Sequence, residues 1–133
     1  MRIAVCVKQV LDPRGVRLSR SREAIDPRQA ARIMNPPDKY ALEAALRLRE
    51  RHGGEVFALS LGAPEAGNAL REALAMGADR AILLTDEGLA GADEYNVARA
   101  LARAVERIGE VSLVLTGERA LDTDGGTLPA RLA

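Results

Sequence analysis

Aromatic side chains are nearly absent: there is no tryptophan, and Phe57, Tyr40 and Tyr95 are the only rings of their kind. So few rings exclude the stacking platforms on which single-stranded nucleic acids bind. Ala, Leu and Val must fill the core instead, and small side chains favour close packing of helices on a sheet. Cys6 is the only cysteine, which rules out an internal disulfide and a Cys-rich metal site. Neither charge dominates, with 19 Lys and Arg against 19 Asp and Glu. A nucleic-acid binder carries a basic excess to neutralise phosphates. The Arg-rich stretch from Arg14 to Arg32 interleaves Asp and Glu and reads as a solvated hairpin. No apolar run approaches the ~20 residues that span a bilayer. The N-terminus runs straight into a strand pattern, with no signal peptide. The expectation is a soluble, cytoplasmic protein that binds no nucleic acid and is not membrane-embedded.

What is present is an alternation of strand and helix patterns. At 133 residues the chain is long enough to bury a core. Ile3 to Val7 is a continuous apolar run, as in a strand buried on both faces. Asp12-Pro13-Arg14-Gly15 signals a turn, and residues 12–34 read as a hairpin-like excursion, with Val16 to Ser19 and Glu23 to Pro27 as short strands. Asn35 is placed to cap a helix beginning Pro36-Pro37-Asp38. Its inner face is expected to carry Tyr40, Ala41, Ala44, Ala45 and Leu48, and Gly53-Gly54 ends it. Further strands follow at Glu55 to Leu61, Arg80 to Thr85 and Val111 to Thr116. Between them lie helices over Glu65 to Met76, with Ala69, Leu70, Ala73 and Leu74 inward, and after an Asp93 cap, with Val97, Leu101, Ala104, Val105 and Ile108 inward. A last helix begins at Leu128. Strands alternating with helices imply an α/β fold, doubly wound on a mainly parallel sheet, with right-handed crossovers. The expectation is one α/β domain over residues 1–133, cut short of a longer chain. Leu128 and Leu132 are expected to be left as an exposed apolar patch.

Ligands of open parallel sheets sit outside the carboxyl ends of the strands. Those ends carry Lys8-Gln9-Val10, Ser60-Leu61-Gly62 and the loop Gly117 to Thr127. In that loop Gly117, Gly125 and Gly126 permit tight turns, and successive N–H groups suit an anion such as a phosphate. A plain surface turn is the alternative. Asp122 and Asp124 would cap, bind ribose hydroxyls or stay solvated, and would repel a phosphate. Neither GxxxxGK[ST] nor GxGxxG occurs. His52 reads as a partner of a helix C-terminus, Ser60 has no activating partner and Cys6 reads as a packed thiol. A binding module is favoured over an enzyme.

Five strings, in order and at matching spacing, resemble the beta subunits of electron transfer flavoproteins. They are Val5-Cys6-Val7-Lys8-Gln9-Val10; Met34-Asn35-Pro36 with Ala41 to Leu48; Leu59-Ser60-Leu61-Gly62; Leu70 to Ala81; and Leu115-Thr116-Gly117 with Ala120 to Asp124. The resemblance implies an adenine-nucleotide-binding α/β sheet of the universal-stress-protein and ATP-pyrophosphatase type. It implies an electron carrier rather than an enzyme, with AMP in this subunit and FAD mainly in an alpha-subunit partner. Flavin dehydrogenases would supply the electrons and a quinone reductase would receive them. In the electron-bifurcating branch and its nitrogen-fixation-associated relatives a second FAD replaces AMP. Carried over, the nucleotide site comprises Cys6, Asn35, Leu61, Gly62, Gly117, Asp122, Asp124, Gly125, Gly126 and Thr127. Gly126 and Thr127 depart from the family's usual Asn or Ala followed by Gln, which removes a side-chain amide. A stress-protein-like ATP-binding module is a weaker alternative, because Gly125-Gly126-Thr127 fits its phosphate loop only partly. An ATP-pyrophosphatase would need a Ser-Gly-Gly loop where Lys8 to Asp12 stands.

Overall fold

The apolar run near the N-terminus becomes the central strand. In the computed structural model, which describes residues 1–15, 17–18, 25–26, 30–89 and 91–133, that strand is β1 (Arg2–Cys6). The rest of the chain follows as β2 (Gln9–Leu11), β3 (Arg17–Leu18), β4 (Ile25–Asp26), β5 (Arg32–Met34), α1 (Pro36–His52), β6 (Glu55–Leu61), α2 (Gly67–Met76), β7 (Arg80–Leu84), α3 (Glu94–Ile108), β8 (Val111–Thr116) and α4 (Leu128–Leu132). The main sheet has the order β7-β6-β1-β8, and every pairing in it is parallel. With neighbours on both edges and helices on both faces, β1 has no wet side. Ile3, Ala4 and Val5 are fully buried, so an uninterrupted apolar run is what this position requires.

The period of two along each strand sorts its side chains between two cores. Ile3, Val5, Val56 and Ala58 pack with Leu42, Ala45 and Leu46 of α1 and Leu70 and Ala73 of α2. Ala4, Cys6, Phe57 and Leu59 pack with Leu101 and Ala104 of α3 on the other face. Each large apolar side chain among these contributes roughly 1.5–3 kcal/mol by leaving water. The doubly wound parallel architecture expected from the strand–helix alternation is the one observed.

Several local details differ from expectation. The buried face of α1 is Asp38, Leu42, Ala45 and Leu46, whereas Ala44 is exposed and Tyr40 is 79% exposed. The helix is turned so that Leu42 and Leu46, with more apolar area than the alanines, face the sheet. Leu74 of α2 is also largely exposed. A short 3₁₀ turn over Pro64–Ala66 precedes α2, so the regular helix starts at Gly67 and not at Glu65. Leu128 and Leu132 are half-buried against the α3-side core, so they are not the exposed patch expected of them. The exposed apolar residues near that end are Leu113 and Val114 of edge strand β8, and Leu121.

The excursion after β1 is built from antiparallel pairs. Gln9, Val10 and Leu11 face Met34, Ile33 and Arg32, while Arg17 and Leu18 face Asp26 and Ile25. The short strands expected at Val16 to Ser19 and Glu23 to Pro27 lie partly outside the described residues. The β2–β5 pair returns the chain to the end of β1, so that α1 starts beside it.

Candidate functional site

Reversal of strand order between β1 and β8 splays the loops at their carboxyl ends and opens a crevice there. It holds a cavity of about 630 Å³. The walls come from the ends of β1, β6 and β8, the start of α1, the segment before α3, and the Gly117–Thr127 loop. A more open groove of about 1690 Å³ lies on the other side of α3, beside edge strand β7. Its lining includes Arg80, Arg99, Arg103 and Arg107 but nothing from the carboxyl ends of β1 or β8, so the smaller cavity is the candidate site.

The start of α1 organises the cavity. Pro36 and Pro37 occupy its first two positions and have no N–H to be capped. The third N–H, of Asp38, is taken by the Asn35 carbonyl at 2.9 Å. Asn35 therefore stands at the N-cap position without its side chain capping the helix, contrary to expectation. Its amide is spent across the crevice. Nδ2 donates to the Arg119 carbonyl at 2.8 Å, and Oδ1 accepts from Leu121 N at 3.1 Å. One buried side chain thus holds the loop after β8 to the helix after β5.

Asp38 makes a second clamp. It is only 6% exposed, and it accepts from Lys8 N at 2.8 Å and from Gly117 N at 3.2 Å. Its two oxygens bridge the chain ends leaving β1 and β8. Burial pushes its carboxyl up to about 6, against the opposing pull of the Lys8, Asn35 and Gly117 hydrogen bonds. Gly117 is required by proximity: a Cβ there would meet the Asp38 carboxylate and lie 2.9 Å from Pro37 and Asp38 backbone atoms. The Cys6 thiol, 5% exposed, is pushed up to about 12, by burial first and then by the charge on Asp38. It is a packed thiol, not a nucleophile.

The loop after β8 largely satisfies itself. Ala120 N donates to the Gly125 carbonyl at 2.9 Å, and Gly125 N to Thr123 Oγ1 at 3.3 Å. Lys8 Nζ is paired with Asp122 at 2.8 Å, and Arg119 with Asp124 at 3.1 Å. Asp124 adopts a left-handed conformation, φ +53°, which Asp tolerates better than most residues. The Thr127 hydroxyl contacts the Glu94 carboxylate.

Of the residues expected at the site, Cys6, Asn35, Leu61, Gly62, Gly117 and Gly125 line the cavity. Asp122, Asp124, Gly126 and Thr127 belong to the same loop but do not line it. Lys8 and Arg119 also line it, in segments already expected at the strand ends, whereas Asp38, Glu94 and an apolar wall of Leu84, Leu89, Val97, Leu101 and Leu128 were not anticipated. Asp38 had one legible signal, an acid in the first turn of a helix. The apolar wall had none: Val97 and Leu101 read as helix core, Leu84 as part of a strand and Leu128 as an exposed patch until the strands are ordered. Arg2, Ser60 and His52 do not line the cavity.

Among the described residues, no cluster of His, Cys, Asp and Glu could hold a metal ion, and no helix is long and apolar enough to cross a membrane. Known proteins are similar to this chain. The profile of the Electron transfer flavoprotein domain matches residues 24–133. Protein FixA of Azorhizobium caulinodans is 47% identical over 128 residues, covering 93% of this chain and 46% of the relative. The electron transfer flavoprotein subunit beta of Thermoanaerobacterium thermosaccharolyticum is 44% identical over 133 residues, covering 100% of this chain and 51% of the relative. The caffeyl-CoA reductase-Etf complex subunit CarD of Acetobacterium woodii is 40% identical over 134 residues, with the same two coverages. The chain spans about half the length of the curated relatives it matches. A profile match over most of its length, together with these relatives, places the chain in the electron transfer flavoprotein domain family, as a chain of the beta-subunit type.

Proposed function

We propose that the chain is the nucleotide-holding part of an electron transfer flavoprotein beta subunit, with AMP in the cavity at the ends of β1, β6 and β8. The observation that carries this reading is the cavity itself, set at the strand-order reversal and framed by two buried clamps, Asn35 and Asp38. Its volume lies within the ~300–1,000 Å³ of small-molecule sites. Leu61, Leu84, Val97 and Leu101 offer an apolar slot for a purine ring, while Gly62, Gly117 and Gly125 allow backbone to approach a ligand closely. Lys8 and Arg119 stand at the wall as cations. These residues fit an adenine nucleotide, which would be a structural ligand here. An FAD held mainly by an alpha-subunit partner supplies the redox chemistry. This chain's residues would orient the nucleotide, exclude water from the ring and support the pairing with the partner. Among the described residues, no group in the cavity is arranged as a nucleophile with its base, which supports an electron carrier over an enzyme. Flavin dehydrogenases as donors and a quinone reductase as acceptor complete the proposal, in the cytoplasm.

A second reading puts a second FAD in the same cavity. One observation favours it: at about 630 Å³ the cavity is about twice the smallest of the ~300–1,000 Å³ small-molecule sites, which leaves room for a ligand larger than AMP. Denaturing the protein after co-expression with its candidate alpha subunit, and weighing the released nucleotides by mass and absorbance, separates the two. One FAD and one AMP per pair supports the first reading. Two FAD supports the second, and the lack of both flavin and a stable pair overturns both.

A further inference from the structure

Three side chains in or beside the Gly117–Thr127 loop that could meet an anion, Lys8, Arg119 and Thr127, already contact carboxylates of this chain. Lys8 is held by Asp122 and Arg119 by Asp124. The third case differs, because its carboxylate comes from outside the loop. Glu94, in the first turn of α3, reaches across the cavity wall to Thr127 and accepts from its hydroxyl. Arg131 Nε donates to the same Thr127 oxygen at 3.0 Å. The Glu94 carboxylate also lies directly over Gly125, where any Cβ would collide with it. A hydroxyl and a glycine backbone are groups that a phosphate approaches closely in proteins. Here a carboxylate that lines the cavity sits against both.

We propose that Glu94 is a built-in anion, seated where the phosphate of a bound mononucleotide would lie, and that a phosphate enters only by displacing it. The inference rests on the nucleotide reading of the cavity. Two negative groups a few ångströms apart in a partly desolvated crevice repel strongly. Glu94 must therefore turn outward, giving up Thr127 and Gly125, before a phosphate can take them. As the first helical residue of α3 it can do so by side-chain rotation, with Asp93 still capping the helix through Asn96 N. Glu94 in this way sets the preference of the site between a nucleoside and its phosphorylated form. Asp38, Asp86, Asp93 and Glu118 also line the cavity and add to the field against a phosphate, but none of them touches Thr127 or overlies Gly125.

The test is calorimetric titration of the nucleotide-free, full-length protein and its Glu94→Gln variant with AMP and with adenosine. Removing the charge is expected to tighten AMP about tenfold or more and to change adenosine less than about twofold. Unchanged AMP affinity overturns the proposal and leaves the nucleotide site standing. So does a parallel weakening of AMP and adenosine, which would make Glu94 a ribose ligand. If neither compound binds either protein, the nucleotide reading fails and this inference with it. A second measurement needs no ligand. Gly125→Ala is expected to lower the urea midpoint clearly in the Glu94 protein and hardly at all in the Glu94→Ala background. Equal losses in both backgrounds would show that Glu94 does not overlie Gly125.

Discussion

Replacing Asp38 by Asn should flatten the dependence of stability on pH, by an amount that follows from where the carboxyl sits. In the folded chain its pKa is pushed from 3.8 to about 6, chiefly because burial penalises the charged form. The folded state therefore binds this proton more tightly than the unfolded state does, and stability rises as the pH falls. The contribution is fully present below about 3.8, and it is lost as the pH rises through about 6. The whole shift corresponds to about 3 kcal/mol, at ~1.36 kcal/mol per unit. Between about pH 7.5 and pH 5 the same linkage gives a gain of about 1.4 kcal/mol. Urea unfolding of both proteins at those two pH values measures it, and the difference between them cancels the other carboxylates. Asp79 is among these, held below its ordinary value by hydrogen bonds from Val56 N and Arg49, so its contribution is lost only at lower pH. The wild type is expected to gain about 1.4 kcal/mol relative to Asp38→Asn on acidification. Parallel profiles would mean that the backbone N–H donors of Lys8 and Gly117 outweigh burial, and that the charge is well solvated by them.

Three further outcomes are expected. Gly117→Ala forces a Cβ against the Asp38 carboxylate and the Pro37 and Asp38 backbone, and should cost about 2–4 kcal/mol by urea denaturation, through overpacking and a weakened buried hydrogen bond. A loss under about 0.5 kcal/mol would refute the close approach. Ser60 is 1% exposed and its hydroxyl finds no hydrogen-bond partner among the described residues, so Ser60→Ala should be neutral or stabilising by about 1 kcal/mol. A clear loss of stability would reveal a partner for that hydroxyl. Cys6, buried and pushed up to about 12, should resist iodoacetamide at about pH 8 and react only on unfolding, as followed by mass spectrometry. Rapid labelling of the native protein would overturn that.

The sequence by itself determined the order and kind of the four main strands and the helices between them, but not the β2–β5 pair. The strand patterns at Glu55–Leu61 and Val111–Thr116 needed no structure, and neither did the Asp93 cap of α3, which accepts from Asn96 N at 2.9 Å. These features are local: period, capping chemistry and turn residues act within a few positions of the chain. Six residues of the cavity wall were named from the family resemblance, and Leu61, Gly62, Gly117 and Gly125 of them also fall at strand ends and a loop that can be read from pattern. Tertiary structure decided what those residues do. Asn35 reads as a cap, but Pro36 and Pro37 carry no N–H, its own carbonyl takes the Asp38 N–H, and its amide crosses instead to Arg119 and Leu121. Asp38 and Gly117 are 79 positions apart, and only the adjacency of β1 and β8 makes a carboxylate and a glycine need each other. Glu94 and Thr127 meet for the same kind of reason, because α3 and α4 cover one face of the sheet together. Periodicity predicts which face of an element is apolar. Which polar group it will meet depends on the strand order, and no local pattern encodes that.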